Sequence, residues 1–278
     1  MGMKTTNSPQ SDGSETVLDH TIDAYRPPAI AKRVEAAGVA KVHLGFLQTL
    51  TLAVLAGAFI SFGAMLFTLV MTGNDLGLGL GRLVGGIAFS LGLILVIIAG
   101  AELFTGNNLI VMAWADRKIS ATEVLRNWVL VYVGNFIGAV ATAVFVYGSG
   151  TLGMGDGAVA RTALSIAQAK VSLPYEQAFI RGILCNALVC LAVWLSYAAR
   201  TVAGKILAIV FPISAFVALG FEHSIANMYF IPLGMMLDDT ITVGQLAGNL
   251  LAVTAGNLIG GSVLVGLVYW IVYRPGRT

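Results

Sequence analysis

The residue of this chain with the most versatile chemistry is His223, which stands beside Glu222 inside a long apolar stretch. The other two histidines, His20 and His43, lie before the first apolar segment. An imidazole exchanges its proton near neutral pH, and it can donate a hydrogen bond or a proton to a small anion that has lost its water. A lone histidine in an apolar segment can equally be a buried structural residue. The sequence leaves open whether His223 protonates an anion, hydrogen-bonds to it or only packs.

The polar motif that contains His223 occurs twice in the chain, at 101–107 and again at 221–227. The aligned pairs are Glu102 and Glu222, Asn107 and Asn227 and, at a slightly larger offset, Ile119 and Ile241, Asn127 and Asn249, Gly134 and Gly256, Asn135 and Asn257, Ile137 and Ile259, and Gly138 and Gly260. The chain is therefore predicted to be an internal duplication. His223 aligns with Leu103, so the imidazole is present in one copy only.

The elements that position these motifs are predicted from composition to be membrane helices. Hydrophobic residues make up 57% of the chain, charged residues only 11%, and the mean hydropathy is +0.85. A helix needs about 20 apolar residues to cross a bilayer, and six segments have roughly this length: 45–74, 83–115, 125–149, 178–199, 206–237 and 244–273. Each copy would hold three spans, an odd number, so the copies are expected to lie inverted relative to each other. The predicted fold is an all-α integral membrane protein of six transmembrane helices in a three-plus-three inverted repeat.

The second and fifth segments are predicted to be broken helices, because the duplicated polar motif interrupts each of them. Backbone groups freed at such a break find no water in the bilayer, so breaks survive only where protein or a water-filled passage surrounds them. The alternative is that Glu102 and Glu222 end helices at the membrane surface, but apolar residues resume after each motif. Two breaks that meet near mid-membrane are typical of a permeation pathway.

The basic residues predict the orientation of the chain in the membrane. With the N terminus in the cytoplasm, the cytoplasmic side near the spans holds Arg26, Lys32, Arg33, Lys41, Arg117, Lys118, Arg126, Arg200, Lys205, Arg274 and Arg277. The outer side holds only Arg82, Arg161, Lys170 and Arg181. By the positive-inside rule, both termini are expected in the cytoplasm, and the expected location is the inner membrane.

Five regions follow from this topology. They are a flexible cytoplasmic tail at 1–24, an amphipathic cytoplasmic helix at 25–43, the first repeat at 44–152, the second repeat at 153–273 and a short cytoplasmic tail at 274–278. The amphipathic helix follows Pro27-Pro28, a favourable helix start. Such a helix either anchors at the membrane surface or gates the cytoplasmic mouth, and anchoring is the favoured hypothesis.

Other functional classes find little support in the sequence. Cys185 and Cys190 lie in one predicted span without a metal-ligand spacing, and no phosphate-binding loop is recognisable, so neither a metal nor a cofactor is expected. The net charge of +2 is spread over loop ends and does not indicate nucleic acid. A membrane-embedded enzyme would need a nucleophile or metal beside Glu102, Glu222 and His223, so an enzyme is not expected. A water or gas channel is a closer alternative, but the Asn-Pro-Ala signature of aquaporins is absent.

The two motif blocks also carry a family resemblance. The sequence GFEHSIAN at 220–227, the sequence AELFTGNN at 101–108 and the VGN and AGN repeats resemble the formate/nitrite transporter family. The resemblance covers nearly the whole chain and implies an aquaporin-like six-helix protomer. It also implies a homopentamer with one pore in each subunit and membrane lipid in its centre. The implied substrates are small monovalent anions: formate, nitrite, hydrosulfide, lactate and acetate.

The resemblance implies roles for particular residues. His223 matches the central histidine of the family, Thr105 the loop threonine that hydrogen-bonds near it, and Lys170 the lysine that gives the pore a positive potential. Asn186 and Asn257 match the polar lining of the family's pore, and matches to the two apolar constrictions are Phe89, Leu93, Leu103, Val189 and Phe216. Glu222 and Asn227 of the duplicated motif are also predicted to lie on the substrate pathway. From the residues alone, Lys170 could instead be a solvated loop lysine, and each phenylalanine could face lipid.

The formate-channel branch is the most similar part of the family. The segments AKRVEAAGVAK, AGAFISFGA and RLVGGIAFSLGLIL carry this similarity. One departure is Gly106-Asn107-Asn108 after Thr105, where the enteric formate channels have Ser-Thr and nitrite and hydrosulfide relatives share the TGN form. The resemblance therefore implies a pH-dependent channel for formate and protons, with nitrite or hydrosulfide as the alternative cargo.

Overall fold

The structure is a computed structural model that describes residues 24–273, and within this range it is helical without any strand. The helices are α1 (Pro27–Val42), α2 (Phe46–Met71), α3 (Gly77–Phe89), α4 (Leu91–Ala99), α5 (Val111–Ala115), α6 (Ala121–Gly148), α7 (Met154–Val171), α8 (Tyr175–Ala198), α9 (Val202–Ala218), α10 (Ser224–Leu237), α11 (Val243–Leu258) and α12 (Val268–Tyr273). Short 3₁₀ turns at Gly106–Ile110 and Thr151–Gly153 and a π-helical stretch at Ile259–Leu267 join them. The predicted tails at 1–23 and 274–278 lie outside the described residues.

The predicted all-α membrane fold is confirmed, although the count of six long helices is not matched in detail. Within residues 24–273, five helices are long and apolar enough to cross a membrane: Phe46–Met71, Gly77–Ala99, Ala121–Gly148, Tyr175–Ala198 and Val243–Tyr273. In place of the predicted span 206–237 there are two shorter apolar helices, α9 and α10. The polar motif separates them, so neither half has the length of a full span.

Both predicted breaks begin at a glycine in the left-handed backbone region. Gly100 has φ +82° and ends α4, whereas Gly220 has φ +72° and follows α9. This conformation costs glycine little because it has no Cβ. The two glycines have the same spacing as the duplicated motif, which indicates that the repeat includes the backbone turn that starts each break.

Helix α7, at the start of the second repeat, was not predicted. It packs against α10 beside the second break, much as α1 packs against Gly106–Ile110 and α5 beside the first. Each of these helices carries a lysine near its end, Lys41 on α1 and Lys170 on α7. The two halves therefore each contain a short helix that brings a cation to a break.

Helix α1 is fixed to the rest of the molecule by charged side chains. The buried Glu35 carboxylate pairs with Lys118, which follows α5. The Tyr25 ring lies between the guanidinium groups of Arg33 and Arg200, each 4.1 Å from the ring centroid. These contacts hold the start and the middle of the segment against neighbouring elements of the protein.

Helix α2 approaches α6 closely at small residues, and α8 approaches the π-helical stretch after α11 in the same way. A Cβ added to Gly138 would lie 1.9 Å from the Val54 carbonyl oxygen, and one added to Gly260 would lie 2.0 Å from the Ile183 carbonyl oxygen. Small residues allow such backbone approach in membrane helices. The duplicated glycines therefore set the same helix separation in both halves.

We expect Gly138→Ala to destabilise the protein by about 1–3 kcal/mol, because the Val54 carbonyl cannot move without separating the helices. Gly79→Ala is the matched control, since nothing lies within 4 Å of a Cβ there and alanine favours a helix by about 0.5–1 kcal/mol. Thermal unfolding in detergent measures both changes. A native melting temperature for Gly138→Ala would contradict the close approach of α2 and α6.

Candidate functional site

The first break is held by a buried ionic network. Glu102 is 4% exposed and accepts hydrogen bonds from Lys41 Nζ and, at 2.7 Å, from Asn107 Nδ2. Asn107 Nδ2 also donates to Asn127 Oδ1 at 3.0 Å. A buried carboxylate is stable only with such a counter-charge and hydrogen bonds. The first polar motif therefore has a structural role in holding its break.

The second break contains the same network, residue for residue. Lys170 Nζ lies 3.1 Å from both carboxylate oxygens of Glu222, which is 5% exposed. Asn227 Nδ2 donates to Glu222 Oε2 at 2.7 Å and to Asn249 Oδ1 at 2.8 Å. Lys170 is thus on a helix and largely buried, with 14% of its side chain exposed. It is not a solvated loop lysine, because the buried carboxylate holds it.

Asn257 stabilises the freed backbone at the second break. Its Nδ2 donates to the carbonyl oxygens of Gly182 at 2.8 Å and Glu222 at 3.0 Å, and its Oδ1 accepts from the Ser224 amide at 2.9 Å. Asn135 makes the equivalent bonds at the first break. Broken helices are tolerated at this depth because side chains satisfy the freed groups in this way. The amide of Asn257 is fully buried and points to backbone atoms.

Asn186 connects the two breaks to each other. Its Nδ2 lies 3.3 Å from the Thr105 carbonyl oxygen, 2.7 Å from Asn108 Oδ1 and 2.7 Å from the Asn257 carbonyl oxygen. The Cys190 thiol also donates to the Thr105 carbonyl, at 3.3 Å. Asn186 is fully buried, and like Asn257 it does not line the large cavity described below. These bonds fix the backbone of Thr105 and therefore the position of its hydroxyl.

His223 and Thr105 meet between the two breaks, at a distance of 2.9 Å between Nε2 and Oγ1. His223 Nδ1 accepts a hydrogen bond from the Ala226 amide at 3.1 Å and caps the N terminus of α10. An imidazole nitrogen that accepts carries no proton, so the neutral ring has its proton on Nε2 and donates it to Thr105. The Thr105 hydroxyl, which accepts this bond, retains its own proton as a donor for a third group.

A cavity of about 650 Å³ opens on the side of Lys170, and we call it the vestibule. Its charged lining residues are Arg82, Arg161, Lys170, Arg181 and Glu222, and its deep end contains Phe89, Phe216 and His223. It is therefore a largely cationic space that narrows onto aromatic rings and the imidazole.

The rings at the deep end of the vestibule are in mutual contact. The Phe89 and Phe216 centroids lie 5.7 Å apart at an interplanar angle of 83°, and Phe216 stacks on the His223 ring at 5.9 Å. Both phenylalanines are 3% exposed, so in this protomer they do not face lipid. Phe216, one of the two phenylalanines predicted to form a constriction, therefore lies directly against the histidine, and Phe89 lies against Phe216.

The other predicted constriction residues lie elsewhere in the same apolar core. Leu93, Leu103 and Val189 are at most 2% exposed, belong to the cluster that contains Phe89 and Phe216, and do not line the vestibule. On the α1 side, a cleft beside Lys41 and Asn107 has a volume of only about 20 Å³, enough for roughly one water molecule. The cavity on the Lys170 side is thus much larger than the cleft on the α1 side.

Sequence analysis did not identify three arginines of the vestibule as site residues. Arg82 Nε donates to the Ala218 carbonyl at 2.7 Å, and Arg181 Nη1 donates to the Gly220 carbonyl at 3.3 Å. Arg161 lines the same space. The signal that could have found them was the count of basic residues, because these three and Lys170 were the exceptions to the positive-inside pattern.

Comparisons with known proteins identify a family and several similar proteins. A family model described as "Formate/nitrite transporter" matches residues 28–271. The chain is 41% identical over 275 residues to "Formate channel FocA" of Escherichia coli strain K12, covering 92% of this chain and 96% of that protein. It is 42% identical over 268 residues to "Probable formate transporter" of Methanothermobacter thermautotrophicus, covering 90% and 98%.

Two solved structures have a similar fold. A "Pentameric formate channel with formate bound" is 37% identical with a TM-score of 0.76, covering 82% of this chain and 97% of that one. An "FNT family ion channel" is 32% identical with a TM-score of 0.80, covering 88% and 98%.

Proposed function

This chain belongs to the formate/nitrite transporter family, and on that premise we propose that it is a membrane channel for formate. The observation that carries the proposal is the hydrogen bond between Thr105 and His223 at the deep end of a cationic vestibule. Relatives named as formate channels or transporters favour formate over nitrite as the cargo. The family and these relatives are channels and transporters, so the chain is not an enzyme in this proposal.

The proposed passage has four steps from the Lys170 side. The arginines of the vestibule raise the local concentration of small anions. The rings of Phe89 and Phe216 then force an anion to shed water, which is costly for a charge. The Thr105 hydroxyl, oriented by His223, donates a hydrogen bond that offsets part of this cost. Leu93, Leu103 and Val189 form the apolar constriction that follows.

In this proposal His223 acts as a neutral hydrogen-bond donor. A protonated imidazole would carry a proton on Nδ1, where it would face the Ala226 amide proton and break the cap of α10. The neutral ring keeps both bonds. A neutral imidazole cannot give up Nε2–H without forming an imidazolate, so the anion crosses as an ion, held by Thr105, and is not protonated by His223.

The protein is a multi-pass membrane protein, and its assembly and orientation are part of the proposal. Large apolar side chains cover the outer faces of the helices, for example Phe145 at 76% exposure and Leu251 at 74%. Five chains would bury part of this surface against one another and leave the rest to lipid, consistent with the pentameric relative. Both termini lie in the cytoplasm, with the vestibule outside, because of the distribution of basic residues.

We expect proteoliposomes with the native protein to take up formate much faster than empty liposomes, and Thr105→Val to lower this flux about tenfold or more. Valine keeps the shape of threonine but removes the hydroxyl, and a hydrogen bond to a charged group contributes about 1.5–3 kcal/mol. Stopped-flow uptake of formate, with nitrite in parallel, measures both. Native flux in Thr105→Val would contradict the role of the hydroxyl. Faster uptake of nitrite than of formate would overturn the choice of cargo.

A further inference from the structure

We propose that the vestibule is also a binding site for a small divalent oxyanion, such as a short dicarboxylate or sulfate, which cannot pass the aromatic constriction and therefore blocks the channel from this side. The blocking effect rests on the proposed function. Binding itself does not, so the two can be tested separately.

The charges of the vestibule favour a divalent anion. Lys170 and Glu222 neutralise each other, which leaves the guanidinium groups of Arg82, Arg161 and Arg181 around one cavity. Within residues 24–273 none of these three arginines has a carboxylate partner, since the hydrogen bonds that they make go to backbone carbonyls. A formate ion offsets one of the three charges, whereas a divalent anion offsets two and gains more Coulomb energy.

Two of the arginines are held in place at the rim of the second break. Arg82 donates to the carbonyl oxygens of Val217 and Ala218, and Arg181 donates to that of Gly220. A Cβ added to Gly220 would lie 3.0 Å from Arg82 Nη2 and 3.9 Å from Arg181 Nη1, so both groups surround the same turn. A guanidinium has five N–H donors, and most of them stay available here for the oxygens of a planar carboxylate or a sulfate.

The vestibule and the constriction select anions in opposite ways. A cavity of about 650 Å³ lies in the range that accommodates ligands much larger than formate. The constriction, in contrast, consists of rings in contact, with the Phe89 and Phe216 centroids 5.7 Å apart. Attraction in the vestibule grows in proportion to the charge of the anion, but the cost of removing its water grows with the square of that charge. A divalent anion is therefore bound in the vestibule and excluded from the pore.

Binding is tested on the full-length protein in nanodiscs, by calorimetric titration with malonate, sulfate and acetate. We expect malonate to bind at least about tenfold more tightly than acetate, and Arg82→Gln to weaken malonate about tenfold or more. Arg161→Gln is a second variant in case Arg82→Gln fails to fold, because the native Arg161 guanidinium bonds only the Asp156 carbonyl among residues 24–273. Arg126→Gln on α6, outside the vestibule, should leave binding unchanged. The relative affinities of malonate and sulfate identify which oxyanion chemistry the site prefers.

Block is tested by formate uptake with malonate present on both sides of the membrane. We expect competitive inhibition that weakens in Arg82→Gln or Arg161→Gln and persists in Arg126→Gln. Equal affinity for malonate and acetate, or equal malonate affinity in all variants, would overturn the site. Malonate binding in a protein that passes no formate would instead refute the proposed function and leave the site standing.

Discussion

Replacing His223 with asparagine is expected to lower formate flux about tenfold or more while the native thermal stability is kept. Asparagine is a good N-cap residue, so its side-chain oxygen can still accept from the Ala226 amide and start α10. Its shorter side chain cannot reach Thr105, which loses the donor that orients its hydroxyl. Losing about 1.4 kcal/mol of hydrogen bonding as the anion sheds its water is worth a factor of ten in rate.

His223→Ala is the matched comparison, because it removes both the cap and the donor. We expect the same loss of flux together with a loss of stability of about 1 kcal/mol from the missing cap. Formate uptake and thermal unfolding of the two variants separate the two roles. Native flux in His223→Asn would show that the imidazole only packs and caps, and that its bond to Thr105 has no part in transport.

The same proteoliposomes can show whether His223 supports the anion by hydrogen bonding or transfers a proton to it. Formate flux and current are measured with the membrane potential clamped and the pH varied from about 5 to 8, the range in which histidine titrates. A neutral His223 predicts that formate flux carries a current, because the ion crosses with its charge. An electroneutral flux that rises as the pH falls, and becomes a current in His223→Asn, would mean that the histidine protonates its cargo. That outcome would refute the argument from the Ala226 cap.

The two helix breaks were predictable because the duplicated motif contains polar residues inside apolar segments. Glu102 and Glu222 are costly at membrane depth, so their repeated presence indicated breaks, and the structure has irregular backbone at both positions. The break within 206–237 was predicted from the polar motif, but the count of full-length helices was not, because the motif leaves α9 and α10 each shorter than a full span. The position of α7 could not be predicted, since its composition is that of an ordinary loop or surface helix.

The hydrogen-bond partners of the site residues could not be predicted from the sequence either. Lys170 is 52 residues from Glu222, and Arg82 is 136 residues from Ala218, so no local pattern connects them. The resemblance supplied roles for Asn186 and Asn257 in the polar lining, whereas here their amides bond to backbone atoms and to Asn108. Side-chain direction within the folded helix bundle determines whether a polar residue faces the pore or stabilises a break, and the sequence does not give this direction.

Glu222→Gln is expected to destabilise the protein by about 3 kcal/mol, because it leaves Lys170 largely buried without a counter-charge. The duplication supplies the control. Glu102→Gln removes the equivalent carboxylate, but its partner Lys41 is 26% exposed and can reach water more easily, so a smaller loss is expected. Thermal unfolding of the two variants measures the difference. Equal losses would mean that burial of the lysine does not determine the cost.

The double variant Lys170→Met with Glu222→Gln is expected to recover most of the lost stability, since it removes both charges and leaves no buried ion without a partner. Its formate flux separates two hypotheses for Lys170. If Lys170 mainly cancels the charge of Glu222, Lys170→Met alone lowers flux about tenfold by leaving a bare carboxylate in the vestibule, and the double variant restores it. The vestibule then owes its attraction for anions to its three arginines.

If instead Lys170 itself attracts anions, as the family resemblance implies, flux stays low in the double variant although the fold is restored. The geometry favours restored flux in the double variant, because both Glu222 oxygens lie 3.1 Å from the Lys170 ammonium. At this distance the carboxylate largely cancels the positive charge of the lysine. The same reasoning explains why one carboxylate can lie in the path of an anion at all. The Glu222 carboxylate is needed to hold the break that positions His223. Lys170 on α7 neutralises the charge of this carboxylate, so the carboxylate repels the transported anion less.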